Sequence, residues 1–451
     1  MPSICFATLG CKTNQVDAAW LAETFAADGW RIVAWPGPAD FCVVNTCAVT
    51  ARADRQSRQM VGRARRLNPQ AKVVALGCSP MIGGGEAFAE ADLVAGNLEK
   101  DELRELLAQL AAGGPRVKIG DIRAARGVPA GGAFELHGRT RAFLKVQDGC
   151  PAACSYCIVP RVRGPSRSVP RETAVAAARR LAEMGHQEIV LTGIHLGFYG
   201  RDLAPPDELA ALCGAILAET ALPRLRISSI EPNEATPPLV ALMAADERFC
   251  RHLHIPLQSG SDRILRAMNR PYDLAFYERL VGDLRAKLPD ATLGADVIVG
   301  FPGEDDAAFA ETVATLERLR LPHLHVFPYS DRPGAPAAQM PHKVPRRLAL
   351  ERAAEIRRLG RAHRLEHLRR RVGMQARVLI ERVDGGRGFG LTRNYLPVRV
   401  ELGGHDTALC PPKFGEIAVE ITGVDESEPA LLGRLMERRR PAGIIPATVV
   451  A

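Results

Sequence analysis

The sequence predicts an α/β fold in three parts: an N-terminal open parallel α/β domain, a central partial (β/α)6 barrel and a small C-terminal antiparallel β-barrel. Three observations carry this expectation. Short apolar runs alternate with helical patterns over residues 3–110, the same rhythm resumes at Arg141 and runs through six units, and beyond a long basic helix brief strand-like runs are separated by Gly-rich turns. Length agrees. A chain of 451 residues exceeds what one hydrophobic core sustains, and at roughly 150 residues per domain it suggests about three.

In the first part the apolar runs at 4–8, 41–44 and 72–76 enclose helical patterns at 14–27 and 52–67, a βαβαβ arrangement assigned to residues 1–111. Residues 112–135 are rich in Gly, Pro and charge and read as a linker. Over 136–368, runs at 142–146, 188–191, 224–227, 252–255, 296–299 and 323–326 alternate with helical patterns at 172–183, 206–218, 274–288 and 306–319. Such repeated βα units place a site at the C-terminal ends of the strands. A basic helix over 345–371 leads into residues 369–437, where 375–380, 395–400 and 417–422 read as strands and Asp384-Gly385-Gly386 as a turn. Residues 438–451 form a tail.

Composition narrows the function. With 47% hydrophobic and 24% charged residues the chain is an ordinary globular protein, which excludes global disorder and fibrous repeats. No run approaches the roughly 20 apolar residues of a membrane span, and residues 1–11 lack the pattern of a signal peptide, so a cytoplasmic location and no membrane partner are expected. The net charge of +8 favours a polyanionic partner. Basic candidates for such contact are Arg52, Arg55, Arg58, Arg63, Arg65 and Arg66 on one helix. Arg361, Arg364, Arg369, Arg370 and Arg371 enter the terminal module, followed within it by Arg377, Arg382, Arg387 and Arg393.

Eleven Cys in a chain without an export signal point to metal ligation or catalysis, because cytosolic thiols are kept reduced. Cys150-x3-Cys154-x2-Cys157 directly follows the first strand of the central part. A structural zinc site wants four ligands and none completes this set nearby. A [4Fe-4S] cluster held by three Cys keeps one iron open for a small molecule. Cys11, Cys47 and Cys78 each follow one of the N-terminal apolar runs, and adjacent strand ends of an open sheet bring such residues together. Gly10 and Gly77 beside two of them permit close backbone approach. Cys5, Cys42, Cys213, Cys250 and Cys410 show no such arrangement and are assigned to packing. The eleven His show no paired metal spacing.

The Cys150, Cys154, Cys157 spacing, with Tyr156 before the last Cys, resembles the radical S-adenosylmethionine enzymes. With the second Cys set and the terminal β-barrel, the chain resembles the radical S-adenosylmethionine methylthiotransferases over nearly its whole length. The resemblance implies two [4Fe-4S] clusters. One, on Cys150, Cys154 and Cys157, binds S-adenosyl-L-methionine at its open iron and generates the 5′-deoxyadenosyl radical. The other, auxiliary cluster, on Cys11, Cys47 and Cys78, carries sulfur. It further implies contacts to S-adenosyl-L-methionine from Tyr156, Thr192, Gly193, Ser228, Ser229, Glu231 and Gln258, a family turn at 300–304, an RNA-binding terminal module like the TRAM domain with its OB-like barrel, and a reducing electron donor protein.

Residues 8–15 (Thr-Leu-Gly-Cys-Lys-Thr-Asn-Gln) and 45–50 (Asn-Thr-Cys-Ala-Val-Thr) are similar to the branch that methylthiolates C2 of N6-threonylcarbamoyladenosine at position 37 of tRNA, beside the anticodon. The isopentenyladenosine branch carries Gln-Met-Asn after the first Cys, and the branch acting on an aspartate of ribosomal protein S12 carries Pro-Lys-Asn. Both remain alternatives with the same chemistry. A non-catalytic iron-sulfur RNA-binding protein is the alternative of another class, disfavoured because structural metal sites are usually closed.

Overall fold

A computed structural model describes residues 1–128, 140–402 and 415–436. The N-terminal part is a six-stranded, all-parallel sheet built from β1 (Ser3–Thr8), β2 (Arg31–Val33), β3 (Phe41–Thr46), β4 (Lys72–Gly77), β5 (Leu93–Ala95) and β6 (Val117–Lys118), in the order β2-β1-β3-β4-β5-β6. The three expected strands lie side by side at its centre, where burial on both faces demands continuous apolar runs such as Val43-Val44 and Val73-Val74-Ala75-Leu76. Apolar clusters cover each face. The three outer strands, β2, β5 and β6, are additions to the expectation. Two or three residues are too few to display a period, and β6 is recruited from the segment read as linker, as is Ile122, which is buried.

The central part begins with β7 (Arg141–Lys145) and a small antiparallel pair, β8 (Gln147–Asp148) and β9 (Arg167–Ser168). Then come β10 (Glu188–Thr192), β11 (Arg224–Ile227), β12 (His252–His254), β13 (Thr292–Val299) and β14 (His323–Pro328). Two parallel sheets, β11-β10-β7 and β12-β13-β14, are joined by the parallel bridges Leu225 to Phe249 and Ser229 to His254. The six strands thus form an open half-barrel with helices outside, over one large apolar core. Its helices start where the sequence caps them: Asp273 and Asp305 each accept a backbone N–H three residues on, at 2.8 and 2.9 Å.

The N-terminal helix Lys12–Ala27 fills the open side of the half-barrel, with Val16 and Trp20 packed on Phe143 and Val190. A buried ionic cluster reinforces this seam. Asp17, fully buried, accepts Lys100 and Lys145 at 2.6 Å each and Arg163 at 3.2 Å, while Asp148 takes Lys145 at 2.7 Å and Arg163 at 3.0 Å.

The 24-residue helix Arg346–Arg369 leads to the last module. There β15 (Gln375–Asp384), β16 (Arg387–Thr392), β17 (Pro397–Glu401), β18 (Glu416–Asp425) and β19 (Ala430–Leu435) close in the order β15-β16-β17-β19-β18. Tyr395, expected in a strand, instead occupies a turn at φ 68° with its ring stacked on His252 of the half-barrel at 4.4 Å. Fully buried Arg224 docks the two parts, bonding Glu188 at 2.8 Å and the carbonyls of Leu391 and Thr392 at 3.2 and 2.9 Å. Cys410 and the tail from 438 lie outside the described residues. Among the described residues no helix is long and apolar enough to cross a membrane.

Candidate functional site

Cys11, Cys47 and Cys78 sit just past the C-terminal ends of the neighbouring strands β1, β3 and β4. The turns that carry them are tied together by side chains. Asn14 donates to the carbonyls of Leu9 and Thr46 at 2.7 and 2.9 Å, Asn45 donates to the carbonyl of Asn14 at 2.9 Å, and Ser57 bonds both the N–H and the carbonyl of Cys47. Gly10 adopts φ +99°, and a Cβ there would lie 2.8 Å from the Cys47 sulfur, so only glycine lets the turn approach this close. Cys47 and Cys78 are buried and Cys11 is exposed. Asn97 donates to the Cys78 sulfur at 3.3 Å. Burial pushes the Cys47 thiol up to about 11, so its thiolate needs a cation beside it to persist at neutral pH.

Cys150, Cys154 and Cys157 lie on the loop after β8. Each sulfur has its own orienting contact. Cys150 faces His195 Nδ1 at 3.1 Å, and the Nε2 of that ring bonds Glu234 at 2.8 Å. Arg270, buried, donates to Cys154 at 3.1 Å and is paired with Glu231. Cys157 accepts the N–H of Val159 at 3.4 Å, and burial pushes its thiol up to about 12. His195, Glu234 and Arg270 were absent from the sequence reading. They belong to elements 38 or more residues from the Cys loop, and no local spacing marks them.

Beside Cys157 opens a cavity of about 350 Å³, large enough for a small-molecule ligand. Val49 and Thr50, next to Cys47, line it from the N-terminal side. Tyr156, Cys157, Ser229, Glu231 and Gln258 line it from the half-barrel. Four of the seven residues expected to contact S-adenosyl-L-methionine are therefore brought together here. Thr192 and Gly193 lie below: Thr192 is buried and its carbonyl accepts Val146 N–H at 3.0 Å, while Gly193 packs against Gln147. Gln258 stands at φ 66° with its side-chain oxygen buried and without a protein partner, an acceptor held ready for a ligand N–H.

These donors suit iron-sulfur clusters. Three sulfurs per set, backbone and side-chain N–H groups directed at them, and walls that a single Cβ would obstruct are what a cubane on three Cys requires. Deeper in the half-barrel His254 and His325 both bond Asp296 Oδ1, at 2.9 and 3.3 Å. This group was invisible in the sequence, because its members come from three strands and meet only through parallel pairing.

Family comparisons agree with this architecture. Residues 144–316 match the Radical SAM superfamily and residues 3–96 match the uncharacterized protein family UPF0004. The threonylcarbamoyladenosine tRNA methylthiotransferase MtaB of Aquifex aeolicus is 37% identical over 88% of this chain and 96% of its own length. The tRNA-2-methylthio-N(6)-dimethylallyladenosine synthase of Pelotomaculum thermopropionicum is 32% identical over 85% of this chain and 88% of its own. Among solved structures, the radical S-adenosylmethionine methyltransferase TsrM of Kitasatospora setae shares the fold, with a TM-score of 0.57 at 16% identity over 75% of this chain and 74% of that one. The chain belongs to the radical S-adenosylmethionine methylthiotransferase family, whose chemistry uses a [4Fe-4S] cluster and S-adenosyl-L-methionine.

Proposed function

We propose that the protein methylthiolates C2 of N6-threonylcarbamoyladenosine at position 37 of tRNA, with the radical-generating cluster on Cys150, Cys154 and Cys157 and a second, sulfur-carrying cluster on Cys11, Cys47 and Cys78. The observation that carries this reading is that one cavity is lined by Cys157 of one Cys set and by Val49 and Thr50, which closely follow Cys47 of the other. C2 of adenine bears an unactivated C–H bond that acid or base catalysis at neutral pH does not open, so a cofactor must supply the reactivity. When bound, the radical cluster supplies the electron that cleaves the sulfonium of S-adenosyl-L-methionine.

The chain's own residues position and shield. Arg270 holds Cys154 and Glu231 in one arrangement, and the His195-Glu234 pair fixes Cys150. Gln258 and Glu231 offer acceptors to the ligand's amines, and Tyr156 offers an apolar face to its base. For substrate choice, residues 8–15 and the relatives named threonylcarbamoyladenosine methylthiotransferases favour the threonylcarbamoyl nucleoside over the dimethylallyl one. The decisive measurement is mass spectrometry of tRNA nucleosides from a strain lacking the gene, beside its parent. 2-Methylthio-N6-threonylcarbamoyladenosine is expected to vanish while its unthiolated precursor accumulates. Persistence of that nucleoside with loss of the isopentenyl derivative or of the S12 modification overturns the substrate and keeps the chemistry.

A groove between the long helix and the terminal barrel, formed by Arg361, Arg364, Arg382, Arg399 and Phe389, supports RNA binding there. The Arg382 guanidinium lies 4.0 Å over the Phe389 ring, a surface on which a base can stack. Within the groove Arg382 is paired with Asp384, Arg399 with Asp425 and Glu428, and Arg361 donates to the Glu426 and Ser427 carbonyls, while Arg364 has no carboxylate partner among the described residues. Arg393 is committed to Glu416 and the Glu247 carbonyl and serves docking. On the helix Ala51–Leu67, Arg52, Arg55, Arg63 and Arg66 are exposed, whereas Arg58 and Arg65 are paired with Asp54 and Asp92. If three phosphates are neutralised, affinity for tRNA falls roughly twentyfold between about 50 and about 200 mM salt. A salt-independent affinity in a filter-binding titration excludes this surface.

A further inference from the structure

The floor of the half-barrel is lined by Arg141, Arg224 and Arg226, and each of these cations has a carboxylate. Arg141 bonds Glu381 at 2.6 Å, and Arg224 and Arg226 bond Glu188 at 2.8 and 2.7 Å. Lys12 differs. It is the first residue of the helix that fills the open side of the barrel, and its half-buried ammonium has Tyr395, Arg141, Arg226 and Cys11 as electrostatic neighbours, with no carboxylate in that set. Among the described residues it makes no ion pair. Beside it, Arg226 Nη1 and both ring nitrogens of His252 are buried without protein partners. A cation without a carboxylate, one unused guanidinium nitrogen and a histidine ring without hydrogen-bond partners are thus gathered in one place, an arrangement that is costly unless a ligand completes it.

The gathering connects to the cavity. Asp296 lines the cavity and bonds His254 and His325, whose rings stack at 4.8 Å, and His252 and His323 continue the same column toward the floor. At β13 the column passes Gly294, where a Cβ would press to 2.9 Å on His254 Nδ1. Lys12 also directly follows Cys11, so it joins the proposed sulfur-carrying set to this group of unpartnered side chains.

The geometry points to Lys12, assisted by Arg226, as the specificity-determining residue that receives a carboxylate on the N6 substituent of the substrate adenine. This rests on the threonylcarbamoyl reading above, since that substituent ends in a carboxylate. An isopentenyl group would leave the ammonium without its anion, and a site built for a polar partner rejects the analogue that lacks it.

The test is equilibrium binding of anticodon stem-loop RNAs to the full chain at one salt concentration. The RNAs carry, at position 37, N6-threonylcarbamoyladenosine, its carboxamide analogue or isopentenyladenosine, with the unmodified stem-loop as reference, and iron content is measured for every preparation. The wild type is expected to favour the carboxylate over the carboxamide by roughly tenfold or more. Lys12→Gln should erase that ratio, and Lys12→Arg should restore most of it. A Lys12→Gln protein that keeps the preference overturns the assignment while leaving the substrate reading intact. A wild type that favours the isopentenyl RNA overturns the substrate reading and this assignment together.

Discussion

Replacing Cys150, Cys154 and Cys157 together by Ala is expected to abolish formation of 5′-deoxyadenosine from S-adenosyl-L-methionine in the reduced protein, a loss limited only by the detection of the product by liquid chromatography. The reason lies in the ligand chemistry. Burial holds the Cys154 and Cys157 thiols protonated in the absence of a metal centre, and without three thiolates no other group on this loop can hold one. The fold should survive, because the loop sulfurs contribute little to the apolar cores. An unchanged melting profile beside lost cleavage separates ligand loss from unfolding. Surviving cleavage in the triple variant refutes the assignment. The parallel variant of Cys11, Cys47 and Cys78 should still cleave S-adenosyl-L-methionine but form no methylthiolated product, which distinguishes the roles of the two sets.

Asp17→Ala is expected to produce the largest loss of stability available to a single substitution at the seam between the N-terminal sheet and the half-barrel. The change strands Lys100, which has no other carboxylate partner among the described residues, and leaves Lys145 and Arg163, also nearly fully buried, to share Asp148 alone. Removing one partner of a buried ion cluster costs about 3–5 kcal/mol, because the remaining charges keep their desolvation penalty and lose the attraction that offset it. Denaturant titration should show a lower midpoint, and the seam should open before the terminal barrel unfolds. A shift below about 1 kcal/mol, the range of exposed pairs, would show that water reaches this cluster. Glu188 adds a pH dependence. Burial disfavours its charged form, but Arg226, Arg224 and Arg141 outweigh that and hold its pKa at about 2. A depressed carboxylate contributes stability that is complete above its unfolded value of about 4.3 and is lost as pH falls from there through about 2.

Much of the site could be read in advance for identifiable reasons. Cys150, Cys154 and Cys157 are close in sequence, so one loop brings them together whatever surrounds it. Cys11, Cys47 and Cys78 are far apart, yet each ends an apolar run, and parallel pairing of β1, β3 and β4 places such ends side by side. Tyr156, Ser229, Glu231 and Gln258 are expected from the family resemblance alone, and they line the cavity, whereas Thr192 and Gly193, expected on the same ground, pack downward. Position after a strand does not decide which way a side chain turns.

Periodicity and Cys spacing by themselves determined the three-part architecture, the order of the central strands and which Cys come together, because each is a property of residues that act locally or repeat regularly. The tertiary structure alone decided the rest: that Arg270 and His195 bond the Cys150–Cys157 loop, that Asp17 joins two domains through three buried cations, that Tyr395 of the terminal module caps the half-barrel, and that Lys12 has Arg141, Arg226 and Tyr395 as neighbours. Those relations depend on where one folded element comes to rest against another. That is set by the summed burial of whole faces, which no single window of sequence contains.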